Sequence, residues 1–435
     1  MADSNNISKI VDHLFRHEAG KMVAVLTKFF GLPYVELAED IVQETLITAF
    51  ETWKLKGIPD NPQAWLYQVA KNKVLTHLKR ARNFNLNIAP NIVYTIDNQN
   101  IIHTKITDIF LDTEIEDAQL RMMFACCHPS IPADLQLILI LKTLCGLSIK
   151  EIANALLSQE DTVAKRLYRA KEKIKQEGIT LDVPVGNEVV ERLDAVLKAI
   201  YLLFNEAYKS TSTDTVIRQE LSDEALRLGA LLAARPLPIE GYNVPKINAL
   251  MALMCFHAAR FDSRLDDLGN IILLENQDRS LWNGYLIQKA YAFFKASSTG
   301  ADLSEYHIEA AIACYHTQAP SFDKTNWQAI FYCYNLLFSI KSTPIVAVNR
   351  AIAKGYTEGA KAGIDALLDV VTPSRDDNNI VKGLEKNHFY HTALGDFYAK
   401  NKEMTKAKAA YELALTFVVL EVERKVITDK LNGLF

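Results

Sequence analysis

Apolar residues recur every three to four positions through nearly all of this 435-residue chain, and that single period narrows the fold more than any other feature. A period near 3.6 puts the apolar side chains on one face of a helix, whereas a half-buried strand would alternate every second residue. Glycine (17) and proline (13) are too scarce for a loop-rich β or collagen-like protein. The expectation is an all-α protein. With 49% hydrophobic residues it can fill several cores, which suits about two to four domains.

Three stretches interrupt the period. Residues 83–108, NFNLNIAPNIVYTIDNQNIIHTKITD, are rich in Asn and β-branched residues and read as a linker. Residues 178–187, GITLDVPVGN, and 235–245, RPLPIEGYNVP, gather glycine and proline, and the first two breaks are expected domain boundaries.

Charge is nearly balanced overall, at −4, so nucleic-acid affinity would have to come from local patches or a partner. Such patches exist. Residues 64–82, AWLYQVAKNKVLTHLKRAR, carry five Lys or Arg and no acid, while residues 29–53, FFGLPYVELAEDIVQETLITAFETW, carry five acids and no base. The acidic segment suits protein docking and the basic one a nucleic acid, with Trp65, Tyr67 and Asn72 interleaved as stacking and amide groups for unpaired bases.

A second candidate reader lies at residues 147–175, LSIKEIANALLSQEDTVAKRLYRAKEKIK. Ser148 and Glu151 have the spacing of a capping box, followed by Ile149, Ile152, Ala153 and Leu156 on one helix face. Ser158 is placed to cap a second helix whose apolar stripe runs Val163, Leu167, Ala170, Ile174. Thr162, Lys165, Arg166, Arg169 and Lys173 then share the opposite face. This is the layout of a helix-turn-helix that lays its second helix in the major groove, where Arg and Lys meet guanine edges or phosphates. A solvated basic face would share the stripe, and two correctly spaced caps favour the reader.

Near the C-terminus, HTALGDFYAKNKEMTKAKAAYELAL (391–415) places Leu394, Gly395, Tyr398, Ala407, Tyr411 and Ala414 at the spacing of a tetratricopeptide (TPR) hairpin. His391 stands where Trp is usual, and the closing proline is missing. Helix pairs around 285–318 and 344–369 have similar length and weaker motifs, so an ordinary bundle and a TPR-like array both fit the spacing.

The two candidate readers carry a family resemblance. GLSIKEIANALLSQEDTVAKRLYRAKEKI resembles region 4 of sigma-70 superfamily factors of the extracytoplasmic-function (ECF) group, which reads the minus 35 element. LAEDIVQETLITAFETW resembles region 2.2, and NPQAWLYQVAKNKVLTHLKR resembles regions 2.3 and 2.4. The resemblance implies that Asp40, Gln43 and Glu44 dock on the polymerase β′ clamp, and that Trp65, Asn72, Lys73, Lys79 and Arg80 face the melted minus 10 strand. Thr76 and His77 depart from the family, where an acidic residue usually precedes the basic pair. The rest of the chain, including LLENQDRSLWN and AVNRAIA, resembles the long helical, TPR-like extension of one ECF subgroup.

The implied division is region 2 over 1–83, a linker over 84–115, region 4 over 116–178, a family-specific helical domain over 186–285 and TPR-like repeats over 286–435. The implied partners are core RNA polymerase (β′ clamp and β subunit), promoter DNA and a regulatory protein on the extension. No cofactor or metal is expected. Six scattered cysteines and the lack of an apolar run of about 18 residues suit a cytoplasmic protein with no membrane partner. CCHP (126–129) reads as a buried helix end before a proline, and LENQDRSLWN (274–283) as an ion pair and helix cap with a packed indole. P-loop, GxGxxG, HExxH and nucleophile-elbow patterns are absent from the sequence, so an enzyme has no support. Rival expectations are a helical-repeat adaptor and a helix-turn-helix regulator that acts without polymerase.

Overall fold

The structure, a computed structural model, describes residues 2–83, 108–156, 158–182, 184, 187–208, 215–234, 243–299, 302–371 and 383–434. Among the described residues every extended element is a helix, joined by short 3₁₀ turns, and one isolated bridge pairs Leu265 with Ile271. The all-α expectation therefore holds. Most of the expected linker, 84–107, and most of the third break, 235–242, lie outside the described residues.

The chain divides into two compact units, Met1–Ala207 with Arg218–Tyr242, and Tyr208–Ile217 with Asn243–Phe435. The first contains α1 (Ala2–Phe30), α2 (Val35–Lys56), α3 (Pro62–Asn83), α4 (Asp112–Cys126), α5 (Ala133–Thr143), α6 (Ile149–Ala155), α7 (Glu160–Glu177) and nearly all of α8 (Asn187–Tyr208) and α9 (Thr215–Ala234).

In α2 the residues Val35, Ala38, Ile41, Val42, Thr45, Ala49 and Trp53 are buried, at the spacing that puts them on one side. Met22 and Leu26 of α1, Leu66 of α3 and Phe124 of α4 are likewise fully buried, and α1 packs on both α2 and α4 while α2 packs on α3. Each such side chain contributes about 1.5–3 kcal/mol by leaving water. Gly57 ends α2 at φ 82°, a conformation an L side chain resists.

The contact between α1 and the end of α5 is close. A Cβ on Gly20 would stand 1.8 Å from the Leu144 carbonyl oxygen, so only glycine allows this approach. Beside it, Lys28 of α1 pairs with Glu114 at 2.7 Å and Asp117 at 2.6 Å on α4. From α9, Arg227 holds Glu224 at 2.5 Å and donates to the Gln119 side-chain oxygen on α4 at 3.0 Å. The last helix of this unit is thereby fixed to the segment that precedes the helix-turn-helix.

The second unit holds α10 (Val244–Ala258), α11 (Gly284–Ser297), α12 (Glu305–Gln318), α13 (Trp327–Ile340), α14 (Pro344–Glu358), α15 (Ala360–Val371), α16 (His388–Lys400), α17 (Met404–Phe417) and α18 (Glu421–Asn432). Sequence-adjacent helices pack on each other. The hairpin expected at 391–415 forms as α16 and α17, where a Cβ on Gly395 would sit 2.5 Å from the Tyr411 ring. His391, in the usual Trp position, is buried, with Nε2 2.8 Å from the Glu385 carbonyl. A second close approach joins α14 to α15, where Gly355 and Gly363 make room for the Phe397 ring.

Candidate polymerase and nucleic-acid interface

With its apolar side buried, α2 presents Asp40, Gln43 and Glu44 to solvent, as the period requires. The same exposed side continues through Ile47 and Phe50, which are 52% and 54% exposed. The two large apolar residues were missed in the sequence because they fall inside an apolar run. Only the buried set at 41, 45 and 49 shows that 47 and 50 must face outward. Carboxylates beside an uncovered apolar strip make a surface suited to a protein partner.

On α3, Asn72, Thr76, Lys79 and Arg80 are exposed at helical spacing and form a polar, basic strip. Lys73 turns away from it and reaches Glu44 at 3.3 Å, and His77 Nε2 lies 3.7 Å from the same carboxylate. Glu44 therefore sits at the seam between the acidic and basic surfaces. Trp65 is half-buried against Trp53 at a centroid distance of 5.4 Å, and Trp53 packs on Phe15 at 5.4 Å.

Tyr67 corrects the reading that grouped it with Trp65 as a base-stacking ring. It is 9% exposed, stacks on Phe110 at 4.6 Å and donates its hydroxyl to Glu18 at 2.5 Å. Burial and the Glu18 carboxylate both push its phenol up. For Glu18, burial pushes the carboxyl up, but the bonds from His17, Tyr67 and Lys21 outweigh it and hold it at about 2. Tyr67 is a core anchor; its signal is a carboxylate 49 residues earlier, which no local pattern carries.

The helix-turn-helix consists of α6 and α7. The capping box forms reciprocally, Ser148 N to Glu151 Oε2 at 2.8 Å and Glu151 N to Ser148 Oγ at 3.2 Å. Val163, Leu167, Ala170 and Ile174 are all buried, as the stripe requires. Ser158 does not cap α7. The cap position is Gln159, which makes no side-chain cap bond, and Glu160 and Asp161 instead set negative charge at the helix start. Gly178 closes the helix in the left-handed conformation.

Of the face opposite the stripe, Lys165 and Arg169 are exposed, and Thr162, Arg166 and Lys173 are partly covered. Arg166 lies 3.8 Å from Asp134 and Lys173 2.6 Å from Glu177, both exposed pairs that salt and a competing phosphate weaken. Two further cations of α7 point elsewhere. Lys171 reaches Glu39 at 2.6 Å and Lys175 reaches Glu36 at 3.4 Å, both acids on α2.

Cys126 ends α4 and lies buried with Cys127, its thiol pushed up to about 12 by burial, which suits a structural helix end before Pro129. In LENQDRSLWN, Asp278 caps a short turn, Asn283 caps α11 and Trp282 is buried. The expected ion pair is replaced. Arg279 stacks on the Trp282 ring at 4.5 Å and donates to the His316 carbonyl at 2.7 Å.

A capped helix-turn-helix with outward cations, joined to a helical domain with adjoining acidic and basic faces, defines a two-part, DNA-binding transcription protein. Comparison with known proteins makes the class specific. Sigma-70 region 2 matches residues 14–84, Sigma-70, region 4 matches 121–174, and a family of unknown function (DUF6596) matches 192–298. An uncharacterized protein of Rhizobium meliloti (strain 1021) is 31% identical over 413 residues, covering 95% of this chain and 93% of that protein. No solved structure matches the chain. The chain belongs to the sigma-70 family, whose regions 2 and 4 carry binding to core RNA polymerase and promoter DNA in transcription initiation. Among the described residues no helix is long and apolar enough to cross a membrane.

Proposed function

We propose that the chain is an ECF-group sigma factor in which α2 docks on the β′ clamp of core polymerase, α3 engages the opened minus 10 element, and α7 reads minus 35. The observation that carries this reading is the seam at Glu44. An exposed acidic and apolar face (Asp40, Gln43, Glu44, Ile47, Phe50) adjoins an exposed basic one (Asn72, Lys79, Arg80) on the next helix. A docking surface and a strand-binding surface on two neighbouring helices let one domain hold polymerase and DNA together.

In this reading Trp65 and Lys73 border the strand path, with Lys73 released from Glu44 when that carboxylate docks. Thr162, Lys165, Arg166, Arg169 and Lys173 form the minus 35 surface. Lys165 and Arg169 are already free of the covering that half-buries the other three. The division expected from the sequence, with a helical domain over 186–285 and TPR-like repeats over 286–435, belongs to the same proposal. So does regulation through the extension by contact with a protein. The chain has no catalytic role in it.

Competition for core polymerase tests the docking face. Asp40→Ala, Gln43→Ala and Phe50→Ala should each weaken displacement of another sigma factor, by about tenfold for a well-packed contact. Full competition by the triple variant would sink the assignment of this face.

A further inference from the structure

Residues 259–283 of the second unit run without an α-helix between α10 and α11, and they bury an unusual set of groups. Arg279 lies over the Trp282 ring at 4.5 Å, and Arg260 lies over the same ring at 5.8 Å. Trp282 is 7% exposed and Arg260 8%. His257 and His316 complete the cluster, Nδ1 of His257 3.1 Å from Arg260 Nη2 and the His316 carbonyl accepting from Arg279 Nη1.

Three polar atoms in this cluster are buried with no hydrogen-bond partner among the described residues: Arg279 Nη2, Trp282 Nε1 and His316 Nδ1. Buried polar groups are nearly always bonded, so three orphans, two on the Arg279–Trp282 stack and one on the residue whose carbonyl Arg279 reaches, call for a cause. The indole nitrogen can only donate, and so can the guanidinium, so both need an acceptor. The local field is positive. Burial, and then Arg260, Arg264 and His316, hold His257 well below the usual imidazole range, while burial, Arg260 and Arg279 hold His316 at about 3. Both imidazoles are thus held toward the neutral form, and the nearest carboxylate in sequence, Asp278, accepts through Oδ1 from Ser280 Oγ at 2.7 Å and from the Ser280 backbone N–H at 2.9 Å. Arg279 Nη2 is a buried donor on a cationic group, and such a donor is costly while unbonded.

We propose that this cluster is a binding site for an oxyanion, the carboxylate or phosphoryl group of a small molecule, held by Arg279 Nη2, the Trp282 indole N–H and the His316 imidazole. With the His316 proton on Nδ1 all three atoms are donors, which one acceptor group with several oxygens satisfies, and guanidinium suits carboxylate and phosphate alike. The site lies wholly within the second unit, and it stands whether or not the first unit acts as proposed.

The test is an NMR titration of the intact chain with inorganic phosphate and, separately, with acetate. The chain has four tryptophans, so its indole N–H signals are few, and Trp282→Phe identifies one of them by its loss. The expected result is a saturable shift of the Trp282 signal with at least one anion, weakened about tenfold or more in Arg279→Gln. Preference for phosphate or for acetate distinguishes a phosphoryl from a carboxylate ligand. A second reading comes from stability: Trp282→Phe keeps the ring beneath both guanidiniums and removes only the orphaned donor, so without anion its Tm should match the parent or exceed it. No saturable shift with either anion overturns the proposal, as does equal binding by Arg279→Gln. A marked loss of Tm in Trp282→Phe would do the same, because it would mean that the N–H already has a structural partner such as an enclosed water.

Discussion

Lys171 Nζ lies 2.6 Å from Glu39 Oε2, tying the second helix of the helix-turn-helix to the helix that carries the docking face. Lys171 is only 7% exposed, so its ammonium depends on that carboxylate; Glu36 stands farther off, at 4.0 Å. Glu39→Ala should therefore lower the stability of the first unit by about 1–3 kcal/mol, the cost of stranding a buried charge. Lys171→Met keeps most of the stem, and the carboxylate it strands is somewhat more open to water than the ammonium, with side chains 16% against 9% exposed, so it should cost less. Denaturant unfolding followed by hydrogen exchange in α7 checks the order of the two variants.

Gly20 makes a different contact, that of α1 with the end of α5, sensitive to a single methyl group. Its added Cβ would meet backbone, the Leu144 carbonyl, which cannot swing aside as a side chain could. Gly20→Ala should push α1 away from the end of α5 while leaving α6 and α7 folded around their own core. Distances between spin labels on α1 and α5 should lengthen; unchanged distances would mean that the two segments are not held as described.

Glu18 sets an acid limit for the first unit. Its carboxyl is depressed from the ordinary 4.5 to about 2, so the folded state binds its proton more weakly than the unfolded chain. The stabilisation is thus fully present above about pH 4.5 and is lost as pH falls toward about 2, on the order of 3 kcal/mol in all. Unfolding measured across that window should show a smaller loss with acid in Glu18→Gln, which starts less stable at neutral pH.

In the second unit, Gly395→Ala should force the Tyr411 ring outward and strain its 2.7 Å bond to Asp396. The cost should be about 1–3 kcal/mol, the range of an overpacked core. Thermal unfolding of the intact chain reads it, and a negligible shift would mean that the ring has room to yield.

The helices, their buried faces and the capping box were legible because each depends on residues within two turns of one another, and the α16–α17 hairpin because its two helices are consecutive and carry a spaced motif. What lay hidden depends on distant pairs. Tyr67 reads as an accessible aromatic until Glu18 accepts from it, and nothing in the local pattern shows that Lys171 and Lys175 reach acids on α2. Ser158 has the right identity for a cap, but the turn runs one residue longer and the helix starts on Glu160. Arg279 was expected beside a carboxylate because Glu275 and Asp278 are its neighbours in sequence, whereas an aromatic face and a carbonyl 37 residues further on claim it.

Arg166 and Arg169 should matter to promoter choice rather than to folding, since neither belongs to the buried stripe. Each replacement by Ala should cost about 1–3 kcal/mol of minus 35 discrimination if it meets a base edge. Transcription from promoters with altered minus 35 sequences reads this, and unchanged preference in both variants would remove α7 from that role.

The most direct test of the central claim is transcription in vitro by core polymerase with the intact chain, mapping start sites on a library of promoter fragments. The account predicts discrete start sites that appear only with the chain and disappear when Asp40, Gln43 and Phe50 are replaced together by Ala. Absence of such sites, with no binding of the chain to core polymerase, would contradict it.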